Sequence, residues 1–220
     1  MNLIKDYIIF VIAALLKPVT TFKTKLKVHS DFKTIGIFTA VVAFVAMILN
    51  LIHQIIAYVR IPVIEGAGWF GGGTVTGHEW YWGNMSELPW LNLIVRNFFI
   101  YLGIIVAIAL VYFLAGRIVR KDAAFQRALS VATISAIPVI LNAFILAPLL
   151  GWLHLHLAVM ITVITLIYAF ALLISGMNQE LDLKDDDLRL YVNTACIAIL
   201  LIIGYFIMVQ LAENMLNGLF

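Results

Sequence analysis

Five stretches of this chain, residues 34–59, 91–115, 128–150, 157–175 and 191–211, are nearly unbroken runs of apolar residues. Each is long enough to cross the hydrocarbon core of a bilayer as a helix. That feature narrows the possible folds sharply, because a segment surrounded by hydrocarbon must close all of its backbone hydrogen bonds internally. Composition agrees: 64% hydrophobic residues, 12% charged residues and a mean hydropathy of +1.05 leave too little polar surface to coat a water-soluble globule. The sequence predicts an all-α integral membrane protein, a five-transmembrane-helix bundle with a short N-terminal interfacial amphipathic helix.

The expected organisation is a basic, amphipathic lead over 1–33, a single membrane domain over 34–211, and a stub over 212–220. The lead imitates a signal peptide, with Lys5 ahead of an apolar run at 7–16. Pro18 and a lysine-rich stretch follow where a small-residue cleavage site would stand, so the segment reads as retained and too short to span. Between the first two spans, loop 60–90 is rich in glycine, which disfavours a helix, and carries Trp69, Phe70, Trp80, Tyr81 and Trp82, which suit the membrane surface. The third span contains Pro138 and Pro148, and a break is expected near Pro138.

Lysine and arginine set the orientation. Of the 14 basic residues, all but Arg60 and Arg96 fall before the first span, between the second and third, or between the fourth and fifth. The N-terminus is therefore expected in the cytoplasm of a plasma membrane protein and, after five crossings, loop 60–90 and the C-terminal stub outside. With a net charge of only +2, nothing suggests a nucleic-acid partner. The single Cys196 allows no intrachain disulfide.

Two groups of residues could carry a function. Lys17, Lys23, Lys25 and Lys27 alternate with Phe22 and Leu26 in the lead, a pattern that suits a membrane-surface anchor for anionic headgroups, although topology alone would also call for such lysines. Asn50, His53 and Gln54 share one helical face near the outer end of the first span; Arg96 and Asn97 lie at similar depth in the second, and Asn142 in the third. Together they form a candidate ligand site, the competing reading being a snorkelling arginine and amides that join helices. His78, Glu79, His154 and His156 have the chemistry of zinc ligands but not the spacing, so no metal or cofactor is expected. The acidic run Glu180, Asp182, Asp185, Asp186 and Asp187 reads as a solvated cytoplasmic loop or a partner-docking surface. No nucleophile motif, phosphate loop or pair of intramembrane carboxylates is present, so no catalytic residue is assigned.

The KPVTTF element at 17–22, the five spans, and the stretch FQRALSVATISAIPVIL at 125–141 resemble the bacterial branch of the Yip1 family. In that family a phenylalanine-bearing loop likewise introduces the third span, whose Ser/Thr-rich segment ends in proline, here Ser130, Thr133, Ser135 and Pro138. The resemblance implies a membrane location and the family fold. The acidic and Tyr-Gly-Pro elements of eukaryotic members are missing, so it does not carry over their GTPase partnering. The resulting expectation is a non-enzymatic membrane protein that organises the bilayer or partner proteins through its cytoplasmic segments. The alternative is a transporter or lipid-translocating protein built on the outward polar site.

Overall fold

The structure, a computed structural model of the chain, describes residues 3–65, 74–80, 89–119, 123–181 and 186–217. The lead forms two helices, α1 (Leu3–Leu16) and α2 (Pro18–Lys25). Pro18 sets the break: the residue before a proline is pushed out of the α region, and Lys17 has φ −139° and ψ 68°. The proline itself occupies the first turn of α2, where its missing N–H removes no hydrogen bond. Helix α3 (Phe32–Val59) starts at Asp31, whose Oδ2 accepts the Thr34 N–H at 2.8 Å and the Thr34 hydroxyl at 2.6 Å.

After α3 comes an antiparallel hairpin of β1 (Arg60–Glu65) and β2 (Thr74–Trp80), running from Arg60↔Trp80 to Glu65↔Thr74 with one slip between Val63 and Ile64. Glycine had indicated only an irregular loop here. The β-branched residues of IPVI and TVT, on either side of the glycine-rich segment, favour strands. Of the expected external loop, 66–73 and 81–88 lie outside the described residues.

Helix α4 (Trp90–Val119) is followed by α5 (Phe125–Leu141), a π-helical turn (Asn142–Leu146), α6 (Ala147–Leu153), α7 (Leu155–Leu181) and α8 (Asp186–Asn217). The expected break at Pro138 does not occur: α5 continues to Leu141, and the irregularity comes one turn later. There the Ala147 N–H donates five residues back, to the Asn142 carbonyl. The wider turn lies just ahead of Pro148, whose ring would clash with a carbonyl in tight α geometry. Between α6 and α7 the chain reverses at His154, which is extended and accepts the His156 N–H on Nδ1 at 3.2 Å, capping α7.

Among the described residues, four helical segments are long and apolar enough to cross a membrane: Phe32–Ile56, Trp90–Val119, Phe125–Gly151 and Leu155–Glu180. Helix α8 covers the fifth expected span and continues through most of the expected stub, with its side chains described only as far as residue 202.

The chain divides into two compact units, Met1–Ala40 with Gly103–Phe220, and Val41–Leu102. In the first, α5 packs along α7, α2 rests on α1 and α7, and α1 touches α5. The buried face of α5 consists of small and hydroxylated side chains, including Ala128, Ser130, Ala132, Thr133 and Ser135. The outward face of α7 is large and aliphatic, with Val159, Met160, Val163, Ile164 and Ile167 exposed. Helices that meet through small residues and turn their bulk outward are arranged for a hydrocarbon solvent, where close van der Waals contact rather than hydrophobic burial holds them together.

Candidate functional site

The Ser/Thr segment of α5 is a polar seam that fixes the lead. Tyr7 of α1 and Ser130 share a buried hydrogen bond of 2.7 Å, and Thr39 of α3 meets Thr133 at 2.8 Å. Ser135 also donates to the Val131 carbonyl four residues back, and of Thr39 and Thr133 one donates across the pair while the other donates to its own carbonyl four residues back, Ile35 or Leu129. The opposite side of the seam is tighter still. At Gly176 of α7 a Cβ would stand 2.4 Å from Val131 Cγ1, so glycine is what allows the two backbones to approach.

At the N-terminus of α5 a buried carboxylate does two jobs. Glu180 Oε1 accepts the Ala124 N–H at 2.8 Å, and Oε2 lies 2.5 Å from Arg127 Nε, with side-chain exposures of 3% for Glu180 and 19% for Arg127. Negative charge at a helix N-terminus is favourable in its own right. Glu180 is thus a structural capping residue, not part of a solvated acidic loop; Asp182 and Asp185 lie outside the described residues, and Asp187 is exposed.

This framework presents α2 at the surface. Thr21, Phe22 and Leu26 are buried, whereas Lys17, Lys23, Lys25 and Lys27 are all exposed. The inward side is held by Phe22 edge-on to Phe10 at 6.3 Å, and by the Thr21 hydroxyl donating to the Ala13 carbonyl at 3.1 Å. His29 stacks on Phe10 at 5.0 Å. Burial, then the Lys25 charge, holds its imidazole below the ordinary range against the pull of Asp6. Hydrogen bonds from Thr34 hold the Asp31 carboxyl below the usual carboxylate range. Helix α1 has apolar residues on both faces, with Tyr7, Phe10, Val11 and Ala14 inside and Ile4, Ile8, Ile9 and Ile12 outside. The contrast between apolar and charged faces resides in α2.

The six residues of the expected ligand site fall in both units. Within the unit Val41–Leu102, the buried Asn97 donates through Nδ2 to Gln54 Oε1 at 3.3 Å, and His53 Nδ1 bonds back to the Leu49 carbonyl at 3.2 Å. Arg96, the next residue round the helix from Asn97, is exposed, and Asn50 is half-buried. Asn142 belongs to the other unit, where its Nδ2 donates to Thr162 Oγ1 at 3.0 Å and ties the π-helical turn to α7. Asn97 and Asn142 each tie two segments of their own unit together. His154 and His156 face each other at 5.1 Å between ring centres, while His78 has no described side chain; among the described residues no three metal-ligating side chains converge.

Residue spacing missed the Glu180 cap and the Gly176 contact. For Gly176 a signal existed: glycine inside a helix costs about 1 kcal/mol relative to alanine, so its presence calls for a packing reason.

The Yip1 domain matches the chain over residues 12–208, from within α1 to the far part of α8. No curated protein and no solved structure gives a significant match.

Proposed function

Because the chain belongs to the Yip1 family, we propose that it is a non-enzymatic plasma membrane protein that organises the cytoplasmic leaflet or a partner protein through the basic face of α2. The observation that carries this reading is the sidedness of α2: Phe22 and Leu26 are locked inward while Lys17, Lys23, Lys25 and Lys27 project outward. Each lysine near an anionic surface contributes about 1 kcal/mol of attraction, so the four act together as a docking face. In this reading α8 makes a fifth crossing, the N-terminus is cytoplasmic and the C-terminus external. The distribution of basic residues supports that orientation. Exposed Asp187, at the start of α8, belongs to the same cytoplasmic side.

The test places a fluorophore at Thr24→Cys, an exposed position on α2, in a Cys196→Ala background. The protein is held in nanodiscs of phosphatidylcholine with or without phosphatidylglycerol, and quenching by headgroup-labelled lipid is read. Anionic lipid should increase quenching, and Lys23→Gln, Lys25→Gln and Lys27→Gln together should remove the increase, a loss of about 3 kcal/mol in surface attraction. Equal quenching in both lipids, indifferent to the three substitutions, would refute the docking face.

A further inference from the structure

Beside α2 lies a cleft of about 560 Å³ lined by Val19, Ala171, Ile174, Ser175, Asn178, Gln179 and Arg189. Its lining changes character along its length. Val19, Ala171 and Ile174 make an apolar wall, and Ser175, Asn178, Gln179 and Arg189 make a polar end. The change runs along α7, whose apolar segment long enough to span ends at Glu180: a span ending there would put Asn178 and Gln179 near the headgroups and Ala171 about two turns deeper. Ala171 and Val19 are exposed, so the apolar wall opens outward.

The polar end is braced. Asn193 is 6% exposed, and its Nδ2 donates to Asn178 Oδ1 at 2.7 Å and to the Arg189 carbonyl at 2.9 Å. Its Oδ1 meets no donor. Asn193 thus holds two residues of the lining in place and keeps an acceptor beside them.

We propose that this cleft is a binding site for a single anionic phospholipid of the cytoplasmic leaflet. The Arg189 guanidinium would take the phosphate, Asn178, Gln179 and Ser175 would hydrogen-bond the headgroup, and one acyl chain would run along Ile174, Ala171 and Val19. Arginine suits phosphate because its planar fork offers paired donors. A free phosphate would leave the apolar wall unused, which favours the lipid as the source of the anion. The inference rests on the placement of α2 at the cytoplasmic surface, but it invokes a discrete site where the lysines provide only a diffuse attraction.

Native mass spectrometry of the detergent-purified protein tests it, with dioleoyl phosphatidylglycerol and dioleoyl phosphatidylcholine titrated separately. The wild type should retain one phosphatidylglycerol at about tenfold lower concentration than phosphatidylcholine: both carry the phosphate that Arg189 would take, but the choline group sets a second cation beside the guanidinium and offers no hydroxyl to Asn178 and Gln179. Arg189→Gln and Ala171→Trp should each abolish that preference, one by removing the charge and the other by filling the cleft from its open side; Arg189→Lys should keep part of it. Size-exclusion profiles identify any variant that fails to fold, and two variants acting on different walls keep the test decisive. Undiminished preference in both would overturn the proposal, as would displacement of the lipid by millimolar inorganic phosphate. If Lys23→Gln, Lys25→Gln and Lys27→Gln together leave the single tight lipid bound, the cleft stands whatever becomes of the α2 docking face.

Discussion

Gly176→Ala is expected to cost the protein about 1–3 kcal/mol of stability, the usual penalty for forcing an added carbon into a filled interior. The new Cβ would lie 2.4 Å from Val131 Cγ1, 2.7 Å from Cγ2 and 3.1 Å from Cβ. Val131 has no easy way to yield. It is fully buried at 0% exposure, it is β-branched and so confined to essentially one rotamer in a helix, and it sits among Ser130 and Ala132, which are buried as well. Relief must come from separation of α5 and α7. That would stretch the seam carrying Tyr7–Ser130 and loosen the seat of the lead.

Val131→Ala in the same chain removes both offending methyls, leaving a contact of 3.1 Å that a shift of a few tenths of an ångström can absorb. The double variant should therefore unfold within about 1 kcal/mol of the wild type, a strong departure from additivity for two touching residues. Unfolding in mixed detergent–SDS micelles supplies the four free energies. A Gly176→Ala protein as stable as the wild type, or a double variant as unstable as the sum of its parts, would show that the α5–α7 approach is not as close as described.

Glu180→Ala should be the more damaging change, at about 3–5 kcal/mol, the range for removing one partner of a buried ion pair. It deprives the Ala124 N–H of its acceptor at the start of α5 and leaves the Arg127 guanidinium, only 19% exposed, without its carboxylate 2.5 Å away. Glu180→Gln keeps an oxygen for the Ala124 N–H and loses only the charge, so it should recover about 1 kcal/mol of the loss. Arg127→Ala with Glu180→Ala should cost less than the two single changes added together, because the contact between the two is then lost once rather than counted twice. The same micelle titration decides, and a Glu180→Ala protein within about 0.5 kcal/mol of the wild type would place Glu180 among ordinary surface carboxylates.

What was legible in the sequence was whatever hydrocarbon dictates. The runs that form α3, α4, the α5–α6 segment and α7 announce themselves by length and hydropathy, and the Ser130, Thr133, Ser135 and Pro138 pattern pointed to the Yip1 family that residues 12–208 match. The inward and outward faces were not legible. In water the buried side of a helix is its apolar side, but in lipid both sides are apolar, and α1, with Phe10 inside and Ile9 outside, shows how periodicity then says nothing about facing. The same blindness applies to the facing of the expected ligand residues. Arg96 and Asn97 are adjacent in sequence and close in depth, yet one is exposed and the other buried against Gln54.

Charged residues misled in the opposite direction. Glu180 stands in an acidic run that looks solvated, and only the return of α7 to the start of α5 brings it onto the Ala124 N–H, 56 residues away in sequence. Pro138 misled through local rules alone. A proline inside a helix predicts a break, but the strain appears as a π-helical turn at Asn142–Leu146, just ahead of Pro148. Phe22 and Leu26 were legible as the apolar members of a basic stretch, and the break at Lys17 that turns α2 onto α1 follows from Pro18.

A role for α2 at the cytoplasmic leaflet requires its exposed lysines to face the cytoplasm. Lys25→Cys, in a Cys196→Ala background, offers a single thiol on that face to a membrane-impermeant maleimide. Labelling confined to permeabilised cells is the predicted result, and labelling of intact cells would contradict it.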